Sequence, residues 1–212
     1  MEIALYIAPN TCALVPFVTL TEAKAKFEPR PLNFRKRQHL TPDYLKVNPR
    51  HKVPALVVDG KVLTENVAIQ AWIARTYPEA KLLPADPWQQ VKAISILSWC
   101  ASGLHPLLAR INNPAKACDL PEAEANVRQL AEKELFENLA IADGMLTTRD
   151  FFFDHFTAAD AHFFWCVRRA TQLAVETSKY PNVKAHYERM HSRHSVQAFL
   201  AFEREMNAAF AA

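Results

Sequence analysis

Residues 48–69, NPRHKVPALVVDGKVLTENVAI, decide the fold. The segments PALVV (54–58) and KVLTE (61–65) have the residue content of strands, and Asp59-Gly60 between them is typical of the tight turn that joins antiparallel strands. NVAIQAWIARTY (66–77) then repeats apolar residues at helical spacing. The stretch therefore predicts a β-hairpin followed by a helix.

The preceding residues predict a β-α-β unit. Apolar residues alternate over 3–7 as in a strand, and residues 12–26 carry the apolar repeat of a helix. FEPRPLNF (27–34) has strand-like content but two prolines, which cannot donate to a ladder, so this strand belongs at a sheet edge. A β-α-β unit requires a parallel pair and the tight turn an antiparallel one. The fold class expected for the first eighty residues is α/β, with a four-stranded mixed sheet covered by helices.

The second half of the chain is predicted to be all-helical. YPEAKLLPADP (77–87) contains three prolines and marks a linker, after which strand signals end. Within the helical part, Thr157 and Asp160 have the spacing of a capping box at a helix start. Helical stretches are expected at about 88–111, 121–148, 158–175, 181–193 and 196–210. The domains are therefore 1–80, a linker at 81–87, and a helical bundle at 88–212.

Composition favours a folded, cytoplasmic protein. Half of the 212 residues are hydrophobic and 22% are charged, with a formal net charge of +3. No basic run is long enough for a nucleic-acid tract, and no apolar run approaches a membrane span. The first residues, MEIALYIA, are too short and too acidic at their head for a signal peptide, so we expect none, and the four cysteines lack metal-site spacing. We expect reduced thiols, no metal, and neither nucleic acid nor membrane as a partner.

Residues 48–69 resemble the thioredoxin-like domain of glutathione S-transferases, in which V-P-A-L enters a strand and T-E precedes a helix. With the helical second half and FTAAD (156–160), the resemblance covers nearly the whole chain. PNTCAL (9–14) and Leu104-His105 are similar to the bacterial beta class, whose members carry a cysteine at the first helix. The resemblance implies an N-terminal glutathione-binding domain and a C-terminal substrate-binding domain. It also implies a homodimer in which helix 88–111 packs against its mate.

The resemblance implies where the peptide part of glutathione binds. A Val53-Pro54 pair before a strand suits a cis peptide, and the main chain of Val53 would pair with the cysteinyl part as an added strand would. Glu65 would hold the α-ammonium of the γ-glutamyl group, and the N–H of Asn66 would take its carboxylate at the positive helix end. Taken without the resemblance, Glu65 is an ordinary acidic residue at a helix start.

The basic residues nearby complete the expected binding set. Lys36 falls at the family position that reaches the glycyl carboxylate, with Arg35 or Arg37 as possible substitutes. Lys52, directly before Val53, is also assigned to glutathione binding.

Cys12 and His105 are the expected catalytic residues. A thiol at a helix N-terminus has a stabilised thiolate, which lowers its pKa, so we expect Cys12 to be reactive. The other three cysteines are expected to be small buried hydrophobes. His105 falls where the beta class places a histidine facing the thiol, and Pro106 should kink its helix near residue 102.

The implied activity is conjugation of glutathione to small hydrophobic electrophiles, as in detoxification. Thiol–disulfide exchange through Cys12, a glutathione-dependent isomerase and a non-catalytic binding protein remain alternatives. Four residues depart from the family pattern and bear on activity rather than on fold: Ala13, Ser98, Gly103 and Pro106.

Overall fold

The computed structural model describes residues 1–211, which form two compact units. The first unit comprises residues 1–83 and the segment from 192 onward, and the second comprises residues 84–191. The strands are β1 (Ile3–Ile7), β2 (Glu28–Pro31), β3 (Ala55–Val58) and β4 (Lys61–Thr64). The α-helices are α1 (Leu14–Glu22), α2 (Pro42–Val47), α3 (Asn66–Thr76), α4 (Pro87–Trp99), α5 (His105–Asn112), α6 (Glu124–Met145), α7 (Ala158–Gln172), α8 (Pro181–His191) and α9 (His194–Ala211).

The first unit contains the predicted mixed sheet, in the order β2-β1-β3-β4. β1 pairs with β2 in parallel and with β3 antiparallel, and β3 pairs antiparallel with β4. The proline-containing strand β2 lies at an edge, as its missing N–H donors require. Asp59 and Gly60 both have positive φ, 46° and 78°, which the two-residue hairpin turn demands. The predicted fold class is confirmed for this unit.

Two helices of the first unit differ from expectation. α2, which was not predicted, begins after Thr41, whose Oγ1 accepts a hydrogen bond from Tyr44 N–H at 3.5 Å. α9 packs on α1, where Phe17 contacts Phe199 and Phe202 at centroid distances of 5.4 and 5.6 Å. The predicted helical range of 88–212 includes α9, whereas the structure groups α9 with the first unit because its aromatic face packs there.

The core of the first unit lies between the sheet and its helices. It is built from apolar side chains of β1 and β3 on one side and of α1 and α3 on the other. The fully buried members include Leu5, Ile7, Leu14, Leu20, Leu56, Ile69 and Ile73.

The second unit is helical, and its first helix is interrupted where the sequence predicted a kink. Between α4 and α5 the backbone forms a π-helical turn at Cys100–Leu104. At Gly103 an added Cβ would lie 2.8 Å from Cδ1 of Trp99, so a side chain there would displace the indole. The indole is fixed by its N–H, which donates to Oδ1 of Asn138 at 2.6 Å.

Among residues 1–211, the helix 87–112 alone is long and apolar enough to cross a membrane, judged by length and composition. Core helices of globular proteins share both properties, and a third of its most apolar window is buried within the protein.

The predicted capping box at the start of α7 is confirmed. Oδ2 of Asp160 accepts hydrogen bonds from both the N–H and the hydroxyl of Thr157, each at 2.8 Å. Oδ1 accepts from Phe152 N–H at 3.0 Å and lies 3.1 Å from Nε2 of His186 in α8. This fully buried carboxylate therefore joins the preceding loop, α7 and α8.

Candidate functional site

Two residues of the first unit that are distant in the sequence, Val53 and Asn66, contact Cys12. Cys12 lies in the loop between β1 and α1 and is 8% exposed, and its thiol donates to the Val53 carbonyl at 3.7 Å. Nδ2 of Asn66 donates to the Cys12 carbonyl at 3.0 Å. Residues 41 and 54 positions away in the chain thus hold Cys12 from two sides.

The environment of Cys12 favours the neutral thiol. Burial raises the pKa of Cys12 to about 12, and the negative charge of Glu65 adds to this increase. A backbone hydrogen bond, the Lys52 ammonium and the Asn66 amide act in the opposite direction but are smaller. The expectation of a lowered pKa is therefore wrong. The N-cap of α1 is Ala13 rather than Cys12, and the backbone hydrogen bond at Cys12 lowers the pKa by less than burial raises it.

The main chain directly before Val53 is held by hydrogen bonds from two side chains. Both the Tyr44 hydroxyl and Nδ2 of Asn48 donate to the Lys52 carbonyl, at 2.6 and 2.8 Å. The Val53-Pro54 peptide is cis, as the sequence suggested, and both residues are buried. No described residue accepts a hydrogen bond from the N–H of Val53. Tyr44 and Asn48 were missed by sequence reasoning because nothing in their spacing indicates a shared acceptor.

Glu65 and Asn66 lie at the start of α3. Glu65 has a left-handed φ of 71°, an uncommon conformation for a residue with a side chain, and such strained residues cluster at functional sites. Its carboxylate does not cap α3. The neighbouring Asn66 is buried, and its Oδ1 has no hydrogen-bond partner among the described residues.

The carboxylate of Glu65 forms an ion pair that the sequence did not indicate. Nη1 of Arg50 lies 2.9 Å from Oε1 of Glu65, and Nη2 donates to Oγ1 of Thr64 at 2.7 Å. Fifteen positions separate Arg50 from Glu65, and only the path of the chain through the hairpin brings them together.

The remaining predicted basic residues are exposed in the first unit. Lys36 lies in the turn after β2, where its N–H donates to Oδ1 of Asn33 at 3.0 Å. The ring of His39, from the same basic loop, lies 6.4 Å from that of His51. The loop therefore adjoins the segment that carries Lys52, which is itself exposed.

His105 belongs to the second unit, where it begins α5 directly after the π-helical turn. Its ring packs on Trp165 of α7 at 4.5 Å. His162, one turn before Trp165, is fully buried, and neither ring nitrogen has a hydrogen-bond partner among residues 1–211. Burial lowers the pKa of His162 to about 3, with His105 contributing. Sequence reasoning missed His162, although a lone histidine in TAADAHFFW was the available signal.

The first unit contains groups of the kinds that pair with a peptide chain. These groups are the unpaired main-chain N–H of Val53, the carboxylate of Glu65 at the start of α3 and the neutral thiol of Cys12. No group of three or more metal-ligating side chains comes together in the part of the chain that the structure describes.

Comparison with known proteins assigns both parts of the chain. Residues 1–75 match the family model "Glutathione S-transferase, N-terminal domain", and residues 70–189 match "Glutathione S-transferase, C-terminal domain". Glutathione S-transferase GstA of Escherichia coli O157:H7 is 32% identical over 204 residues, which cover 94% of this chain and 98% of that protein.

Two solved structures are similar over nearly their full length, each covering 94% of this chain and 98% of the other. A sphingomonad glutathione S-transferase complexed with glutathione is 30% identical, with a TM-score of 0.83. The bacterial beta class enzyme of Sphingomonas chungbukensis is 31% identical, also with a TM-score of 0.83.

Probable maleylacetoacetate isomerase 1 of Drosophila melanogaster is 34% identical, but over 47% of this chain and 42% of that protein. Matched along both units, this chain belongs to the glutathione S-transferase family.

Proposed function

We propose that this protein is a beta class glutathione transferase that conjugates glutathione to small hydrophobic electrophiles in the cytoplasm, as in detoxification. Family membership supports transferase activity. The observation that carries the proposal is the meeting of Cys12, Val53 and Asn66, with Glu65 beside them, in one unit. The beta class assignment is supported by the likeness to the Sphingomonas chungbukensis enzyme and by the position of Cys12 before α1.

Each part of glutathione has a proposed partner in the first unit. The N–H of Val53 pairs with the cysteinyl main chain, next to Pro54, as an added strand would. Glu65 binds the α-ammonium, and the N–H of Asn66 binds the α-carboxylate at the uncapped start of α3. Lys36 and Lys52 bind the glycyl carboxylate.

The raised pKa of Cys12 favours conjugation over thiol–disulfide exchange. A thiol of pKa about 12 is ionised to less than roughly 1 part in 10⁴ at neutral pH, and exchange requires the attacking thiolate. We propose that neutral Cys12 donates its S–H hydrogen bond to the sulfur of bound glutathione. The glutathione thiol gives its proton to solvent, and its sulfur then forms the new C–S bond with the electrophile. The bond from that carbon to the leaving group breaks, and the leaving group departs with the electron pair, as chloride does from a chloroarene. His105 is the second proposed catalytic residue, on the basis of its family position.

The electrophile is proposed to bind the second unit, residues 84–191, a shorter range than the 88–212 expected from the sequence.

The homodimer also remains a proposal. α4 exposes Trp88 and Val91, and α6 exposes Leu130 and Ile141, which are large apolar side chains that a partner subunit would cover. Sedimentation equilibrium should give twice the monomer mass.

An isomerase that uses glutathione without consuming it is the second candidate, supported by the partial likeness to the Drosophila protein. Both candidates use the same glutathione site. Net loss of glutathione during turnover distinguishes conjugation from isomerisation.

The proposal is tested by calorimetric titration with reduced glutathione at pH 7. We expect Glu65→Gln to weaken binding about tenfold or more, because the ammonium loses a charged acceptor. Glu79→Gln, an exposed carboxylate elsewhere in the first unit, is the matched control and should bind like the wild type. Conjugation is then measured with 1-chloro-2,4-dinitrobenzene, by following the thioether product.

Absence of glutathione binding by the wild type would refute the enzyme proposal and favour a non-catalytic role for the fold. Equal binding by Glu65→Gln would show that the ammonium lies elsewhere.

A further inference from the structure

We propose that Arg50 determines specificity for the γ-glutamyl end of glutathione, binding its α-carboxylate while Glu65 binds its α-ammonium. The inference rests on the glutathione site proposed above and adds a residue that the family resemblance did not supply.

Arg50 is held in place although its side chain is 59% exposed. Its N–H donates to Oδ1 of Asn48 at 3.1 Å, which fixes the backbone. Its guanidinium lies 2.9 Å from Glu65 and donates to Thr64 at 2.7 Å. These contacts come from both sides of the hairpin, so the guanidinium is directed to the start of α3 before any ligand arrives.

The pairing of charges matches the chemistry of the ligand. In the γ-glutamyl group an ammonium and a carboxylate are attached to the same carbon, so their two partners must stand side by side. Glu65 and Arg50 provide an anion and a cation in direct contact. A guanidinium has five N–H donors in a planar fork, and those not used by Glu65 and Thr64 remain for a carboxylate.

The Arg50–Glu65 ion pair can also be replaced by contacts of each side chain with a ligand. The two side chains are 59% and 66% exposed, and ion pairs at such sites stabilise the fold little. Binding an ammonium at Glu65 and a carboxylate at Arg50 therefore replaces one weak pair by two charge-assisted contacts. The start of α3, which no side chain caps, adds its N–H groups beside the same carboxylate.

The test compares two ligands and two variants by calorimetry. The ligands are glutathione and 4-aminobutyryl-cysteinyl-glycine, which lacks only the α-carboxylate. We expect Arg50→Gln to weaken glutathione binding about tenfold while leaving the affinity for the analogue unchanged. Lys61→Gln removes the same charge from exposed β4 and should leave both affinities unchanged. Arg50→Lys should restore glutathione binding in part, because it keeps the charge but not the fork.

Two results would overturn the proposal, and a third would overturn the proposed function beneath it. Wild-type affinity of Arg50→Gln for glutathione would show that Arg50 makes no contact with the ligand. Equal weakening of both ligands would show that Arg50 acts only by orienting Glu65. Failure of the wild type to bind glutathione at all would instead refute the proposed function, on which this inference depends.

Discussion

At the scale of single residues, the state of Cys12 is set by burial rather than by the helix that follows it. Its position could be predicted from the sequence, because a lone cysteine between a strand and a helix is visible there. Its pKa could not, because burial depends on Val53 and Asn66, which lie 41 and 54 positions away. The Arg50–Glu65 ion pair could not be predicted either, because its residues lie 15 positions apart and meet only in the folded chain.

Cys12 should therefore react slowly with alkylating agents. At pH 7.5 we expect iodoacetamide to modify the half-exposed Cys118 well before Cys12, as measured by mass spectrometry of peptides. Because the pKa of Cys12 is raised to about 12, its rate should keep rising about tenfold per pH unit above pH 8. A rate that levels off between pH 7 and 8 would show instead a stabilised thiolate.

At the scale of elements, local patterns predicted what local interactions determine. The hairpin at Asp59-Gly60, the edge position of β2 and the capping box of α7 all follow from residues adjacent in the chain. α2 was missed because six residues are too few to show a helical repeat. The placement of α9 was missed because its partner, α1, lies more than 170 positions away.

The start of α7 provides a stability prediction. Asp160→Ala should lower the free energy of unfolding by about 2–4 kcal/mol, because it leaves buried donors of Phe152 and Thr157 without an acceptor. Urea titration measures the loss. Asp154→Ala, an exposed carboxylate in the preceding loop, is the control and should leave stability unchanged. A similar result for the two variants would exclude a special contribution from the capping box.

At the scale of the whole molecule, His162 gives the second unit a dependence on pH. Its imidazole is neutral and buried without hydrogen-bond partners in the described chain, and its pKa is lowered to about 3. In the unfolded chain a histidine titrates near pH ~6.5. Below that pH the unfolded state binds a proton that the folded state does not, so stability is complete above pH ~6.5 and decreases toward pH 3.

His162→Leu should remove this dependence. Between pH 7.5 and 5.0 the wild type should lose about 2 kcal/mol of stability more than the variant. Urea titrations of both proteins at the two pH values measure the difference. Equal losses would mean that His162 takes up a proton in the folded state as readily as in the unfolded chain.

The packing of α9 on α1 in the first unit has a consequence for folding during synthesis on the ribosome. The helix that covers Phe17 is encoded after all of residues 84–191. While the helical unit is being translated, the nascent sheet domain still has an open aromatic surface, which is a site for chaperones or for misassociation. The second unit can thus complete its folding before the first, although it begins later.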